Sequence, residues 1–241
     1  MTDLCVYLDW DSDFFGRRIA RVTVNRLDIE QTEQVIAWCT EQRIECLYFL
    51  AEANAAETIR AVEQHGFAFE DIRLTLARRG ALPEQPAGIR LSRPDDVPAL
   101  KAIAGVSHRD SRFYFDGHFT QAECDALYET WIEQSCAGYS DAVLVAERNG
   151  QPVGYMTCTV QGETGNLGLL GVDEQMQGQG IGTALINGSL AWLGSRGVMT
   201  VELATQGRNM RAQRAFQRLG FVSDHIELWY HRWFEASEQK P

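Results

Sequence analysis

Residues 177–182 read QGQGIG, with glycine at 178, 180 and 182. Glycine loses more chain entropy on ordering than any other residue, so this spacing marks a place that needs bare backbone. The use that fits is close approach of main-chain N–H groups to an anion. No lysine follows, which excludes the phosphate loop G-x-x-x-x-G-K-[ST]. An apolar run ends at Val172, the spacer DEQMQ follows, then the glycines, then an apolar helical stretch over 182–197. A helix N-terminus offers unpaired N–H groups and a positive dipole end, so this order suits a pyrophosphate that is held rather than transferred. A dinucleotide turn is a rival: Gly178-x-Gly180-x-x-Thr183 imitates its fingerprint, and Glu202 lies at a suitable distance. Against it, Thr183 replaces the third glycine and a charged spacer separates strand from loop. A purely structural glycine turn also stays open.

Other residues with chemical potential are scattered. His108, His118, His225, His231 and Glu202 could take a proton, but no spacing singles one out. Arg112, in Ser111-Arg112-Phe113-Tyr114, has the planar fork that suits a diphosphate or carboxylate. The plainer reading is a surface arginine beside a core phenylalanine. The six cysteines include no C-x-x-C pair, so neither a zinc site nor a disulfide framework is expected, and no metal is assigned.

The elements that must position these residues read as α/β. A strand at 89–93 leads into a helix from about Asp95, and Thr120 to Glu123 forms a capping box for another helix. Residues 142–148 and 152–160 flank Asn149-Gly150, a hairpin signal, and 165–172 is a third strand. After the glycine helix come a strand at 200–204, a helix at 209–220 with Asn209 at its start, and a closing strand. Residues 52–76 resemble 206–230, with Gly66 on Gly220 and Phe67 on Phe221. This suggests two related strand–helix–strand units, of which only the second follows a glycine run. Residues 77–88, with two prolines and no hydrophobic period, read as a linker. The expected division is a small first domain over 1–83 and a main domain over 88–241.

The chain has 241 residues and a formal net charge of −11, and it lacks a dense basic run. Nucleic-acid and membrane binding are therefore not expected. From the aspartates of the N-terminus no signal peptide is expected, no stretch is long and apolar enough for a membrane span, and the cysteines suit a reducing cytoplasm.

The stretch LLGVDEQMQGQGIGTALI resembles the acyl-CoA signature Q/R-x-x-G-x-G/A of the GNAT N-acetyltransferase superfamily, with Gln177, Gly180 and Gly182 in place. The run Asn209-x-x-Ala212-x-x-x-Phe216-x-x-x-Gly220-Phe221 is similar to that superfamily's second signature. A looser resemblance, carried by DFFG (13–16), SRF (111–113), LYETWIEQS (127–135), ATQ (204–206) and LWYHRW, is to the TDP-fucosamine acetyltransferase-like subfamily.

The resemblance implies a GNAT fold, a mixed central sheet flanked by helices, preceded here by a smaller degenerate GNAT-like domain. It implies acetyl-CoA as acyl donor and a small-molecule primary amine as acceptor. The amine of a nucleotide-linked amino sugar is the first expectation. Another amine, or a non-catalytic acyl-CoA-binding module, is the alternative. The implied donor contacts are Leu170, Gly171, Val172, Gln177, Gly178, Gln179, Gly180, Ile181, Gly182, Thr183, Asn209, Ala212 and Phe216. A backbone N–H near Leu170 would stabilise the oxyanion. Arg112, Phe113 and Tyr155 are the expected acceptor contacts. The chain departs from the pattern at Phe216, where a tyrosine that protonates the leaving thiolate is usual; Tyr230 is the first replacement, ahead of Tyr155 and His231. A homodimer is left open.

Overall fold

Ten strands form one sheet, in the order β1-β2-β3-β10-β4-β9-β8-β7-β6-β5. In the computed structural model residues 4–80, 83 and 86–235 are described. The first half comprises β1 (Cys5–Tyr7), α1 (Asp9–Phe15), β2 (Ile19–Val22), α2 (Ile29–Glu41), β3 (Cys46–Glu52), α3 (Ala56–Gln64) and β4 (Ala68–Arg79). Then come β5 (Ile89–Leu91), α4 (Val97–Ser107), the short α5 (Arg112–Phe115) and α6 (Gln121–Gln134). The rest is β6 (Ala142–Arg148), β7 (Gln151–Gln161), β8 (Thr164–Val172), α7 (Ile181–Gly194), β9 (Thr200–Gln206), α8 (Met210–Arg218) and β10 (Val222–Trp233).

Local signals explain the boundaries. Asp28 and Thr120 cap α2 and α6, each in a reciprocal box with the residue three places on. Asn149 and Gly150 both adopt positive φ, the geometry of a two-residue hairpin turn between β6 and β7. Gly66 and Gly220 close α3 and α8 with φ of 78° and 83°.

The resemblance between the two halves extends to the coordinates. The bounds of β3, α3 and β4 recur in β9, α8 and β10 at one offset (200 − 46, 210 − 56 and 222 − 68 all give 154). The pairings follow the same rule. β10 pairs with β3 as β4 pairs with β9, with Glu227 opposite Glu52 and Arg73 opposite Gln206. The parallel pairs β2–β3 and β8–β9 are each joined by one helix, α2 and α7. The closing strand of each unit therefore lies against the other unit. The division at 83–88 separates the chain in sequence, but the sheet runs through it without a break. The expected linker lies partly outside the described residues. Its start is corrected, because Ala77, Arg78 and Arg79 still pair with Glu202, Val201 and Thr200 of β9.

Two main cores follow from this arrangement. One packs α7 and Phe216 against β6–β9, and the other packs the first unit's strands around Phe49, Val62 and Tyr230. An aromatic cluster of Phe15, Phe113, Phe119 and Tyr48 joins the units. The DFFG stretch ends α1 there, with Gly16 at a φ of 62°, so it is a packed turn. Among the described residues no helix is long and apolar enough to cross a membrane.

Candidate active site

The site begins where two parallel strands part. β8 and β9 pair from Thr164–Thr200 to Leu167–Leu203 and no further. Beyond Leu167 the edge of β8 that faces β9 is unpaired, which leaves room for another extended chain. On its other side β8 carries a bulge: Met156 lies opposite Leu170 and Cys158 opposite Leu167, so Gly168 and Leu169 face one residue of β7. Thr157 fills the bulge and its Oγ1 accepts from the Leu169 N–H at 2.8 Å. A Cβ on Gly168 would sit 2.5 Å from that oxygen, which accounts for the glycine.

One cavity, of about 540 Å³, lies at the N-terminus of α7. Gly178 and Gly180 take φ of 77° and 79°, and a Cβ on either would meet nothing within 4 Å. Their glycines are thus required by backbone conformation, and the space above them is open. Gly180 is the N-cap and has no side chain to occupy the first-turn N–H groups. In the first unit the equivalent helix α2 is capped by its own Asp28, whose carboxylate accepts from the Gln31 N–H at 2.7 Å. That N-terminus already has its anion.

Leu170, Val172, Gln177, Gly178, Gly180, Ile181, Gly182, Thr183, Asn209 and Ala212, all expected from sequence, line this cavity. Gln179 does not; its amide donates to the Gln175 carbonyl. Gly171 does not either, because it lies under the Tyr155 ring, where a Cβ would be 2.5 Å from the ring. The cavity adds two cations that sequence reasoning missed, Arg211 and Arg218. Arg211 donates to Gln177 at 2.6 Å and so ties α8 to the glycine loop. Their separation by two helical turns places both on one face, the signal that was available.

A second cavity, of about 270 Å³, meets the first at Leu170, Asn209 and Ala212. Phe216, 5% exposed, lines it beside that junction, as does Thr205 from the parted end of β9. Asp71 enters from β4 of the first unit and is 3% exposed. Burial pushes the Asp71 carboxyl up to about 6; Arg208, at 3.7 Å, and the N–H of Ile72 counteract this in part. No motif marked Asp71 in the sequence. Its place depends on β4 lying beside β9.

Arg112 and Phe113 also line this cavity. Arg112 lies over the rings of Trp229 and Phe113, at 4.0 and 4.2 Å from their centroids. Its Nε donates to His231 Nε2 at 3.0 Å, and Nδ1 of His231 meets Asp116. Burial drives the His231 pKa down to about 4, so the ring is neutral, with Nδ1–H donating to Asp116 and Nε2 accepting from Arg112. Both ring nitrogens are thereby used, and the nearby group Glu70, Asp116 and His231 has none left for a metal. Arg112 has no carboxylate in ion-pair contact among the described residues, and it lines this cavity.

Two expectations are corrected. Tyr230 lines neither cavity; it is buried in the first unit's core and its hydroxyl donates to Glu63 at 2.9 Å. Tyr155 is fully buried and acts at one remove, meeting His108 Nε2 at 2.9 Å, while His108 itself is on the cavity wall. Burial lowers the His108 pKa to about 4, so it is neutral. Of the other candidate bases, His118 and His225 are exposed, and Glu202 lines neither cavity.

Residues 107–221 match the model of the acetyltransferase (GNAT) family. The chain is 27% identical over 232 residues to a dTDP-fucosamine acetyltransferase of Escherichia coli O6:H1, covering 93% of this chain and 96% of that protein. It is 26% identical over 140 residues to the spore coat polysaccharide biosynthesis protein SpsD of Bacillus subtilis, covering 58% of this chain and 48% of that one. Against that relative the chain thus spans about half the length. A solved GCN5-related N-acetyltransferase of Sphaerobacter thermophilus superposes with a TM-score of 0.67 at 19% identity, covering 95% of this chain and 76% of that one. Residues 107–221 thus carry an acetyltransferase domain of the GNAT family, whose members use acetyl-CoA as acyl donor.

Proposed function

We propose that the chain acetylates a small-molecule primary amine by direct attack on acetyl-CoA, and that the amine belongs to a nucleotide-linked amino sugar. The observation that carries this reading is the meeting of two cavities at Leu170, Asn209 and Ala212. The larger takes the donor. Its pyrophosphate lies on the N–H groups of 178–183 near Arg211 and Arg218, and its pantetheine runs along the unpaired edge of β8. The thioester then falls at the junction, and the smaller cavity takes the amine.

Asp71 accepts the proton of the incoming ammonium, which frees the nitrogen lone pair. The nitrogen–carbon bond forms, the carbonyl oxygen gains charge that the N–H near Leu170 stabilises, and the carbon–sulfur bond breaks. The nitrogen loses its second proton to water as the amide forms, and because Phe216 has no proton to give, the thiolate leaves as such and takes its proton from water. A thiol pKa near 8.5 makes this tolerable. Holding both substrates at one junction is the main contribution of the protein.

The acceptor class is supported by Arg112, a half-buried cation lining the amine cavity with no carboxylate in ion-pair contact among the described residues, and by the likeness to the dTDP-fucosamine enzyme along nearly the whole chain. All six cysteines are free, which suits a cytoplasmic enzyme. The test is release of free CoA thiol from acetyl-CoA with dTDP-fucosamine, a polyamine and a peptide amine as acceptors. Release with the nucleotide sugar at the highest kcat/KM supports the reading. Preference for a polyamine or peptide contradicts the acceptor, and release with no amine tested contradicts the reaction.

A further inference from the structure

A third cavity, of about 610 Å³, lies beside the amine cavity and shares Trp131, Gly168 and Leu169 with it. Trp10 reaches it from α1 of the first unit and Tyr139 from the turn after α6. Trp10 is 37% exposed and Tyr139 82%, so two large aromatic rings stand open to water around a recess. One face of Trp10 is covered by Phe14 and the ring is otherwise partly exposed, while the rings behind it are fixed. Phe14 stacks on Trp10 at 5.1 Å, Trp131 lies 6.4 Å from Trp10, and Trp131 abuts Phe113 at 6.1 Å. Asp11 and Gln134 add an acceptor-only group and an amide to the lining.

The position relative to the chemistry is informative. Gly168 and Leu170 are two residues apart on β8, roughly 7 Å along a strand, so the recess begins about one sugar ring from the thioester junction. Arg112 stands on the wall of the amine cavity, close enough to Asp11 to act against the burial that raises that carboxyl. From the junction outward the walls thus offer a base at Asp71, a cation at Arg112 and then aromatic faces.

We propose that this third cavity seats a nucleobase at the far end of the acceptor, stacked on Trp10, Trp131 and Tyr139, with the acceptor's anionic linker on Arg112. The proposal rests on reading the smaller cavity as the amine site. It gives the first unit a direct part in recognising the substrate, through Trp10 and Asp11.

The test uses the full chain saturated with acetyl-CoA, so that the donor cavity is filled. Calorimetry then measures dTDP, inorganic pyrophosphate and a hexose 1-phosphate. The expected result is dTDP binding at least about fivefold tighter than pyrophosphate, the stacking share that one base typically supplies. Trp10→Ala and, independently, the exposed-site change Tyr139→Ala should each weaken dTDP and leave pyrophosphate unaffected. Arg112→Lys should weaken both. The proposal is overturned if dTDP binds no better than pyrophosphate, if dTDP is indifferent to both aromatic substitutions, or if the hexose phosphate shows the Trp10 dependence instead. Failure of acetyl-CoA to bind at the outset would contradict the donor assignment, a separate result.

Discussion

Arg73 and Glu227 face each other across β4 and β10, and Arg73 Nη1 donates to Glu227 Oε2 at 2.5 Å. The two occupy one position of the repeat, since 227 − 73 = 154. An approximate two-fold axis therefore passes between them. On either side of it, Leu74 opposite Ile226 is matched by Ile72 opposite Leu228. The units have exchanged closing strands around this pair, and that exchange brings Asp71, two residues from Arg73, to the amine cavity.

The exchange predicts that the second unit cannot stand alone. Removing residues 1–83 would strip β3 and β4 from β10 and leave β9 with an open edge. The full chain should melt in one transition, and a fragment of residues 88–241 should show no cooperative melt by calorimetry. A fragment that melts cooperatively and binds acetyl-CoA like the full chain would contradict this.

Gly182 tests the pyrophosphate site without straining the loop. Its φ is ordinary, unlike that of Gly178 and Gly180, and a Cβ there finds only Val172 at 4.0 Å. Gly182→Asp should put a negative charge at the start of α7 and weaken acetyl-CoA about tenfold or more, because a helix N-terminus favours one anion and like charges repel. Gly182→Ala should come close to wild type. Equal affinity for all three proteins by titration calorimetry would remove the pyrophosphate from this loop.

Asp71 gives both a kinetic and a stability signature. Its carboxyl titrates near 6, so kcat/KM should fall as pH drops through about 6, on top of the amine's own titration. Asp71→Asn should lose about 10²–10⁴-fold in rate, and with it that limb of the profile. Stability should move the other way. A carboxyl whose folded pKa is raised favours the fold below the unfolded value near 3.9, and that contribution is lost as pH rises through about 6. At pH 7 to 8 Asp71→Asn should therefore be more stable, by about 1–3 kcal/mol in denaturant titration. A variant with the wild-type profile, or one that is destabilised, would count against the assignment.

Phe216 carries the second kinetic prediction. It stands beside the junction in place of a hydroxyl donor. Phe216→Tyr should leave acetyl transfer intact or make it faster in the thiol-release assay. A variant that binds acetyl-CoA but no longer transfers would show that the ring's apolar surface, not a missing acid, is what the site needs there.

The cavity proposed for the donor was legible because backbone demands leave marks in sequence. Positive φ at Gly178 and Gly180 requires glycine, and Asn209 caps α8 through its own side chain, which accepts from the Ala212 N–H at 3.0 Å. The offset between the repeats was legible too, from Gly66 and Gly220. The amine half was not. Asp71 becomes a cavity residue only through strand order, and nothing in a linear repeat says that β10 will pair with β3 rather than with its own unit. Tyr230 looked available because its exposure depends on the same exchange, which buries it against Phe69 and Glu63 of the first unit.

The account rests on two substrates meeting at Leu170, and the most direct test is a crystal structure of the chain with acetyl-CoA bound. The predicted result has the pyrophosphate against residues 178–183, the pantetheine along β8 beyond Leu167, and the acetyl carbonyl at Leu170, opening toward Asp71. Acetyl-CoA bound elsewhere, or bound here with its acetyl group turned away from the cavity of Asp71 and Arg112, would contradict it.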